Sequence, residues 1–112
     1  MVLICSNPEE CAEVLKAIAE ENRIKILRFL LKKDSYVTDI AKELQMKQYH
    51  VSRHLMILKK AGLVQSIREG KKVKYKINPS VRSKDKGLLG TIDIGCCMIS
   101  FRSLLSCPKK NS

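Results

Sequence analysis

Two helical periods three residues apart, followed at once by strand-like alternation, constrain this 112-residue chain more than any other feature. Val37, Ile40, Ala41 and Leu44 recur at helical spacing over Val37 to Leu44. Gln45, Met46 and Lys47 leave room only for a turn. Val51, Leu55 and Leu58 then set the inward stripe of a longer helix from Gln48 to Ala61, with Gly62 placed to end it in a left-handed conformation. Two helices joined this way form a helix-turn-helix. Beyond Gly62 the period drops to two. Residues 63–68 and 73–77 read as strands, and Glu69-Gly70-Lys71-Lys72 reads as the turn of a hairpin, with Asn78-Pro79-Ser80 closing the unit.

Two further helices precede this core unit. Asn7 can cap the first, Pro8 suits its first position, and Glu9 and Glu10 complement the positive end of its dipole. Its apolar stripe reads as Ala12, Leu15, Ile18 and Ala19; that of the second helix, about Asn22 to Lys32, reads as Ile24, Leu27, Leu30 and Leu31. The expected fold is therefore mainly α with a small β-hairpin, a winged helix-turn-helix over residues 1–80. Residues 81–112 are expected to form a linker and cysteine-bearing tail, in which 81–90 is polar and 91–95 alternates like a strand. Aromatic residues make up only 4% of the chain and Trp is absent, so the core must be small and aliphatic. A core of that kind is often completed by self-association, and a homodimer is expected.

The net charge of +11 is unevenly spread. Residues 1–40 carry 6 Lys and Arg against 7 acids, whereas residues 41–80 carry 10 against 2. A positive field concentrated on the helix-turn-helix and hairpin is the footprint of a polyanion-binding face, although a solvated basic surface gives the same counts. No stretch has the roughly 18 apolar residues of a membrane span, and residues 1–5 are too short for a signal peptide. A cytoplasmic protein with no membrane partner is expected. Its five cysteines, at 5, 11, 96, 97 and 107, should then be reduced thiols.

A helix fits the major groove of duplex DNA if its outer face offers polar side chains. Gln48, Tyr49, Ser52, Arg53 and His54 lie in the N-terminal part of the second helix of the pair, outside its inward stripe. Arg and Gln suit guanine and adenine edges; Ser and Tyr more often reach phosphate. Arg68, Lys71, Lys72 and Lys74 fall within seven residues on the hairpin, where they suit the phosphate backbone or a neighbouring minor groove. His50 and His54 are four apart, a possible metal-ligand spacing. With no acid or cysteine beside them, DNA contact is the better reading for His54 and a structural role for His50. An RNA-binding module is disfavoured by the lack of an aromatic stacking platform. An enzyme is disfavoured too: there is no spaced Cys-X-X-Cys, phosphate-cradling loop or acid/base pair.

The run Leu15-Lys16-Ala17-Ile18-Ala19-Glu20-Glu21-Asn22-Arg23-Ile24-Lys25-Ile26-Leu27 resembles the opening of the ArsR/SmtB family of metal-responsive repressors. Val51-Ser52-Arg53-His54-Leu55-Met56-Ile57-Leu58-Lys59-Lys60-Ala61-Gly62-Leu63-Val64 is similar to the family's most telling segment, and Arg68 to Tyr75 to its wing. Together these cover about residues 12–78. The resemblance implies a dimeric transcriptional repressor bound to an inverted repeat in double-stranded DNA and released by an inducer, with Ser52, Arg53 and His54 on the recognition helix. The chain also departs from the family. Many members carry a cysteine pair in the helix before the recognition helix, where this sequence has Val37-Thr38-Asp39-Ile40-Ala41-Lys42-Glu43-Leu44. Others carry Asp and His ligands on a C-terminal helix, and here the histidines are His50 and His54 alone. Residues 81–112 do not look like the usual C-terminal dimerisation helix.

The segment Asp93-Ile94-Gly95-Cys96-Cys97-Met98-Ile99-Ser100-Phe101 is similar to one near the end of some arsenic-sensing members. Soft thiolates select thiophilic ions. Cys96 and Cys97 supply two sulfurs for trivalent arsenic or antimony and Cys107 a third, with Cys5 and Cys11 as alternatives. No cofactor is required. Three readings stay open: As(III) or Sb(III) as inducer, a dithiol–disulfide switch or another thiophilic metal, and a constitutive DNA-binding regulator whose cysteines are inert small hydrophobes.

Overall fold

A computed structural model describes residues 7–82, 90–95 and 97–101. Helix α1, Pro8–Ile18, starts where Asn7 accepts the Glu10 amide at 2.9 Å. Helix α2, Glu21–Lys32, is capped by Glu20, whose carboxylate accepts the Asn22 and Arg23 amides at 2.8 and 3.1 Å. Strand β1, Ser35–Tyr36, leads directly into α3, Val37–Leu44, and a three-residue turn connects to α4, Gln48–Lys60. Strands β2, Val64–Glu69, and β3, Lys72–Ile77, form the hairpin, and β1 adds to the free edge of β3 in the order β1-β3-β2, all antiparallel. A separate hairpin follows, β4, Thr91–Asp93, with β5, Met98–Ser100. The mainly helical winged helix-turn-helix is thus the observed architecture. Among the described residues no helix is long and apolar enough to cross a membrane.

Both helices of the helix-turn-helix end alike. After α4, the amide of Gly62 (φ 85°) bonds to the Lys59 carbonyl at 2.9 Å and that of Leu63 to the Leu58 carbonyl at 3.0 Å. After α3 the same pair of bonds runs from Gln45 to Lys42 and from Met46 to Ala41, at 3.3 and 2.9 Å. Each closes the orphan carbonyls of a last turn through one left-handed residue. Gln45 bears a steric cost at φ 56° that glycine avoids. Gln45→Gly should therefore stabilise the protein by about 0.5–1 kcal/mol, read as a higher urea midpoint with unchanged slope. A lower midpoint would mean that the Gln45 side chain contributes more than its backbone costs.

In the wing, Glu69 pairs with Lys72, so the turn proper is Gly70-Lys71. Gly70 has φ 64° while φ of Lys71 is negative, the pattern of a type II′ turn. Asn78 locks the base of the hairpin by donating its side-chain amide to the Gly62 carbonyl at 2.8 Å.

The core is aliphatic, as the composition requires. Ile26, Leu27 and Leu30 of α2, Ile40 of α3, and Val51, Leu55 and Leu58 of α4 are fully buried against Leu63, Val64 and Ile77. On α1 the stripe differs from the sequence reading: Val14, Ala17 and Ile18 face inward, and Leu15 is 38% exposed. Helical spacing alone accommodates either set, and contact with α2 and α4 selects one. Val81, Ile92 and Ile94 belong to the same core cluster, each with no exposed surface. The chain leaving the wing is therefore not a linker from its first residue. Arg82 donates to the Leu31 carbonyl at the end of α2 (2.6 Å), and the Asp93 amide donates to the Val81 carbonyl (2.7 Å).

Candidate nucleic-acid interface

The exposed face of α4 and the wing converge on one cleft. It has a volume of about 250 Å³ and is lined by Tyr36, Val37, Thr38, Gln48, Ser52, Lys71, Lys72 and Val73. Four of the residues expected to contact DNA are thus brought together, Gln48 and Ser52 from the start of α4 and Lys71 and Lys72 from the tip of the wing. Tyr49 and Arg53 lie beside them, both exposed, on the outer face of α4. The start of α4 has no side-chain cap and no acid in its first turn. Its positive dipole end is uncompensated by the helix itself.

The wing cations do not act as one patch. Side chains alternate along a strand. Lys72 and Lys74 share the outer face of the hairpin with Glu69 and Tyr36, whereas Arg68 pairs with Val73 on the face that runs into the core. Tyr36 organises the outer face. Its hydroxyl donates to Glu69 Oε1 at 2.5 Å, and its ring lies 5.1 Å from the Lys72 ammonium and 5.8 Å from that of Lys74. The bond to the Glu69 carboxylate, with smaller contributions from burial and from the charges of Glu69 and Asp39, raises the phenol above its ordinary value, so Tyr36 stays a neutral donor. Lys74 also lies 4.0 Å from Glu69 and is half-buried, whereas Arg68, Lys71 and Lys72 are exposed. On the opposite face, Lys59 of α4 donates to Ser66 Oγ of β2 at 2.7 Å and ties wing to helix.

The two histidines do not take the places read from sequence. His54 turns inward, with only 17% of its side chain exposed: Nδ1 lies 3.3 Å from Arg23 Nη1, and Nε2 lies 3.9 Å from Glu20 Oε1. A guanidinium can only donate, so Nδ1 accepts and the neutral ring carries its proton on Nε2, towards Glu20. Arg23 meanwhile donates to the Ala17 and Lys16 carbonyls at the end of α1, at 2.5 and 3.4 Å. His54 therefore anchors α4 to the α1–α2 junction and does not face the groove. His50 is exposed, its ring 4.1 Å from that of Tyr49 at an angle of 31°. The sequence spacing placed both rings near one side of the helix; Glu20 and Arg23, more than thirty residues away, decide which one is drawn in.

Burial lowers the pKa of His54 below the ordinary 6.5; Glu20 opposes this, while Arg23, His50 and Arg53 add to it. The unfolded chain then binds this proton more readily than the folded one, so stability is lost as pH falls through 6.5 toward the lower folded value. The urea midpoint should fall as the pH is lowered from about 7.5 to about 5.5, and His54→Gln should flatten that dependence. An equal slope in both proteins would assign the effect to other groups.

Met56, missed in the sequence reading, is 65% exposed on the same face as Tyr49 and Arg53. Its position seven residues after Tyr49 was the available signal. Of the expected thiol site, Cys96 and Cys107 lie outside the described residues, as does Cys5. Cys97 is exposed beside the turn of the β4–β5 hairpin, and Cys11 is half-buried on α1.

Residues 20–66 match the profile of the bacterial regulatory protein, arsR family. The uncharacterized HTH-type transcriptional regulator MJ1325 of Methanocaldococcus jannaschii is 43% identical over 63 residues, covering 55% of this chain and 71% of that protein. The chain belongs to the arsR family. Another similar member, a probable mercury resistance operon repressor of Streptomyces lividans, is 32% identical over 73 residues, or 65% of this chain. This arsR-family chain spans only 58% of that repressor's length. Among solved structures, the homodimeric winged helix-turn-helix DNA-binding domain of Mb0332 from Mycobacterium bovis superposes with a TM-score of 0.62 at 35% identity, over 64% of this chain and 67% of that one. Family and fold are those of transcriptional regulators, not of enzymes.

Proposed function

We propose that this protein is a homodimeric transcriptional repressor that binds an inverted-repeat operator in duplex DNA and is released by trivalent arsenic or antimony. The observation that carries the DNA-binding reading is the convergence of Gln48, Ser52, Lys71 and Lys72 on one cleft, beside exposed Tyr49 and Arg53. Two surfaces then engage one duplex: α4 enters the major groove, and Lys71 and Lys72 meet the adjacent backbone. The uncapped start of α4 adds favourable potential for phosphate. Two-fold symmetry sets the recognition helices about one DNA turn apart. Exposed Leu15 on α1 offers apolar surface to a second copy.

The release step rests on thiol chemistry. Arsenite exchanges each hydroxyl for a cysteine thiol, whose proton leaves with the hydroxyl as water, with no change in oxidation state, so three reduced cysteines suffice. Cys96, Cys97 and Cys107 are the proposed ligands; Cys97 is exposed, as a ligand accessible to an entering ion must be. The resemblance to metal-resistance repressors supports this class of inducer.

The test measures affinity of the reduced, full-length protein for the DNA upstream of its own gene, with and without arsenite. Tight binding that weakens on adding arsenite, and that becomes indifferent to it in C96S/C97S, is expected. Indifference in the wild type, with release by oxidant instead, would transfer the switch to dithiol oxidation. No preference for that duplex over random DNA at moderate salt would remove the repressor reading altogether.

A further inference from the structure

We infer that α4 reads thymine methyl groups through Tyr49 and Met56, placed on either side of Arg53. This rests on the DNA-binding reading and specifies what that surface recognises. Tyr49 and Met56 are 64% and 65% exposed, more than any other large apolar side chain among the described residues. Both belong to one helical face. With Val51, Leu55 and Leu58 fully buried, a rotation of about 100° per residue centres the opposite face on Tyr49, Arg53, Met56 and Lys60. The Tyr49 hydroxyl can reach a phosphate, but the Tyr49 ring and the Met56 side chain gain nothing from one. In the major groove the one apolar group that a base edge presents is the C5 methyl of thymine.

Charge selects DNA over an apolar protein surface as the occupant. The whole of α4, QYHVSRHLMILKK, contains no acid, and Arg53 and Lys60 share the face of the exposed apolar pair. Lys71 and Lys72 of the wing border the same end of the helix. Tyr49 is held in place by its neighbour, with the His50 ring 4.1 Å away. Tyr49 and Met56 stand about 10 Å apart along the helix axis, close to three base-pair steps of roughly 3.4 Å. Arg53 lies between them, suited to a guanine edge. The preferred half-site therefore carries a guanine with thymines on both sides, within about three or four base steps, on either strand.

The test begins with selection of duplexes from a random pool by the full-length reduced protein. The selected duplex is then resynthesised with deoxyuridine for thymine, which deletes the methyl and leaves every hydrogen-bonding edge unchanged. Each deleted methyl that is contacted should weaken wild-type binding about four-fold. Met56→Ala, a surface change whose fold is checked by circular dichroism, should bind the thymine duplex more weakly and lose the penalty at one position of each half-site. Tyr49→Ala should lose it at the other. Uracil tolerated by the wild type on a selected duplex would overturn the inference and leave DNA binding intact, as would an undiminished penalty in both variants. Failure to select any duplex would overturn the inference together with the reading beneath it.

Discussion

Replacing Ile92 by alanine is expected to destabilise the entire protein by about 2–5 kcal/mol, the range for truncating a fully buried aliphatic side chain. Ile92 lies on β4, beyond the wing, yet none of its surface is exposed and it belongs to the same cluster as the helical core. An antiparallel bridge between Arg82 and Ile92 holds it there, with the Asp93 amide donating to the Val81 carbonyl. The cavity left by the truncation lies among side chains that relax only partly, so the cost exceeds the loss of transfer free energy. Thermal unfolding should remain a single transition, with a midpoint lower by about 4–8 °C for each kcal/mol of stability removed. Met98→Ala on the neighbouring strand β5, where the side chain is half exposed, is the control and should change stability by less than about 0.5 kcal/mol. A silent Ile92→Ala would mean that the β4–β5 hairpin is an appendage to a core complete without it.

The second large effect is on DNA. Arg53→Ala should cost about 1–3 kcal/mol for each guanine that the side chain reads. A symmetric dimer reads two, so affinity for the selected duplex should fall roughly thirty-fold to twenty-thousand-fold, while affinity for random DNA changes far less. Arg53 is exposed on α4 and takes no part in the core, so the fold should be unaffected. Lys71→Ala, at the tip of the wing, should behave differently. It should weaken specific and non-specific binding alike and reduce the slope of log affinity against log salt by about one for each phosphate no longer neutralised. If Arg53→Ala keeps the wild-type ratio of specific to random binding, direct reading of a base by this side chain is wrong. Titration against both duplexes across a salt series separates the two patterns.

The helix-turn-helix was legible because its signals are local. The inward stripe of α4, the three-residue turn, the glycine after Ala61 and the change of period at the wing lie close together in the chain, and each side chain there finds its place through its near neighbours. The cap at Asn7 was legible for the same reason. Strand β1 was not, since two residues carry no periodicity; Ser35 and Tyr36 become a strand only by pairing with Tyr75 and Lys74. The basic cluster of the wing was visible as composition. Its division depends on register, which places Lys72 and Lys74 over the Tyr36 ring and Arg68 on the other face.

By itself, then, the sequence determined the fold class, the two helices of the helix-turn-helix and the concentration of positive charge, because periodicity and capping are properties of short segments. Tertiary structure alone decided two things: that Ile92 and Ile94 complete the core, and that His54 serves as an internal anchor. Each depends on which distant surfaces a side chain meets, and burial, unlike periodicity, is settled only when those surfaces have packed together.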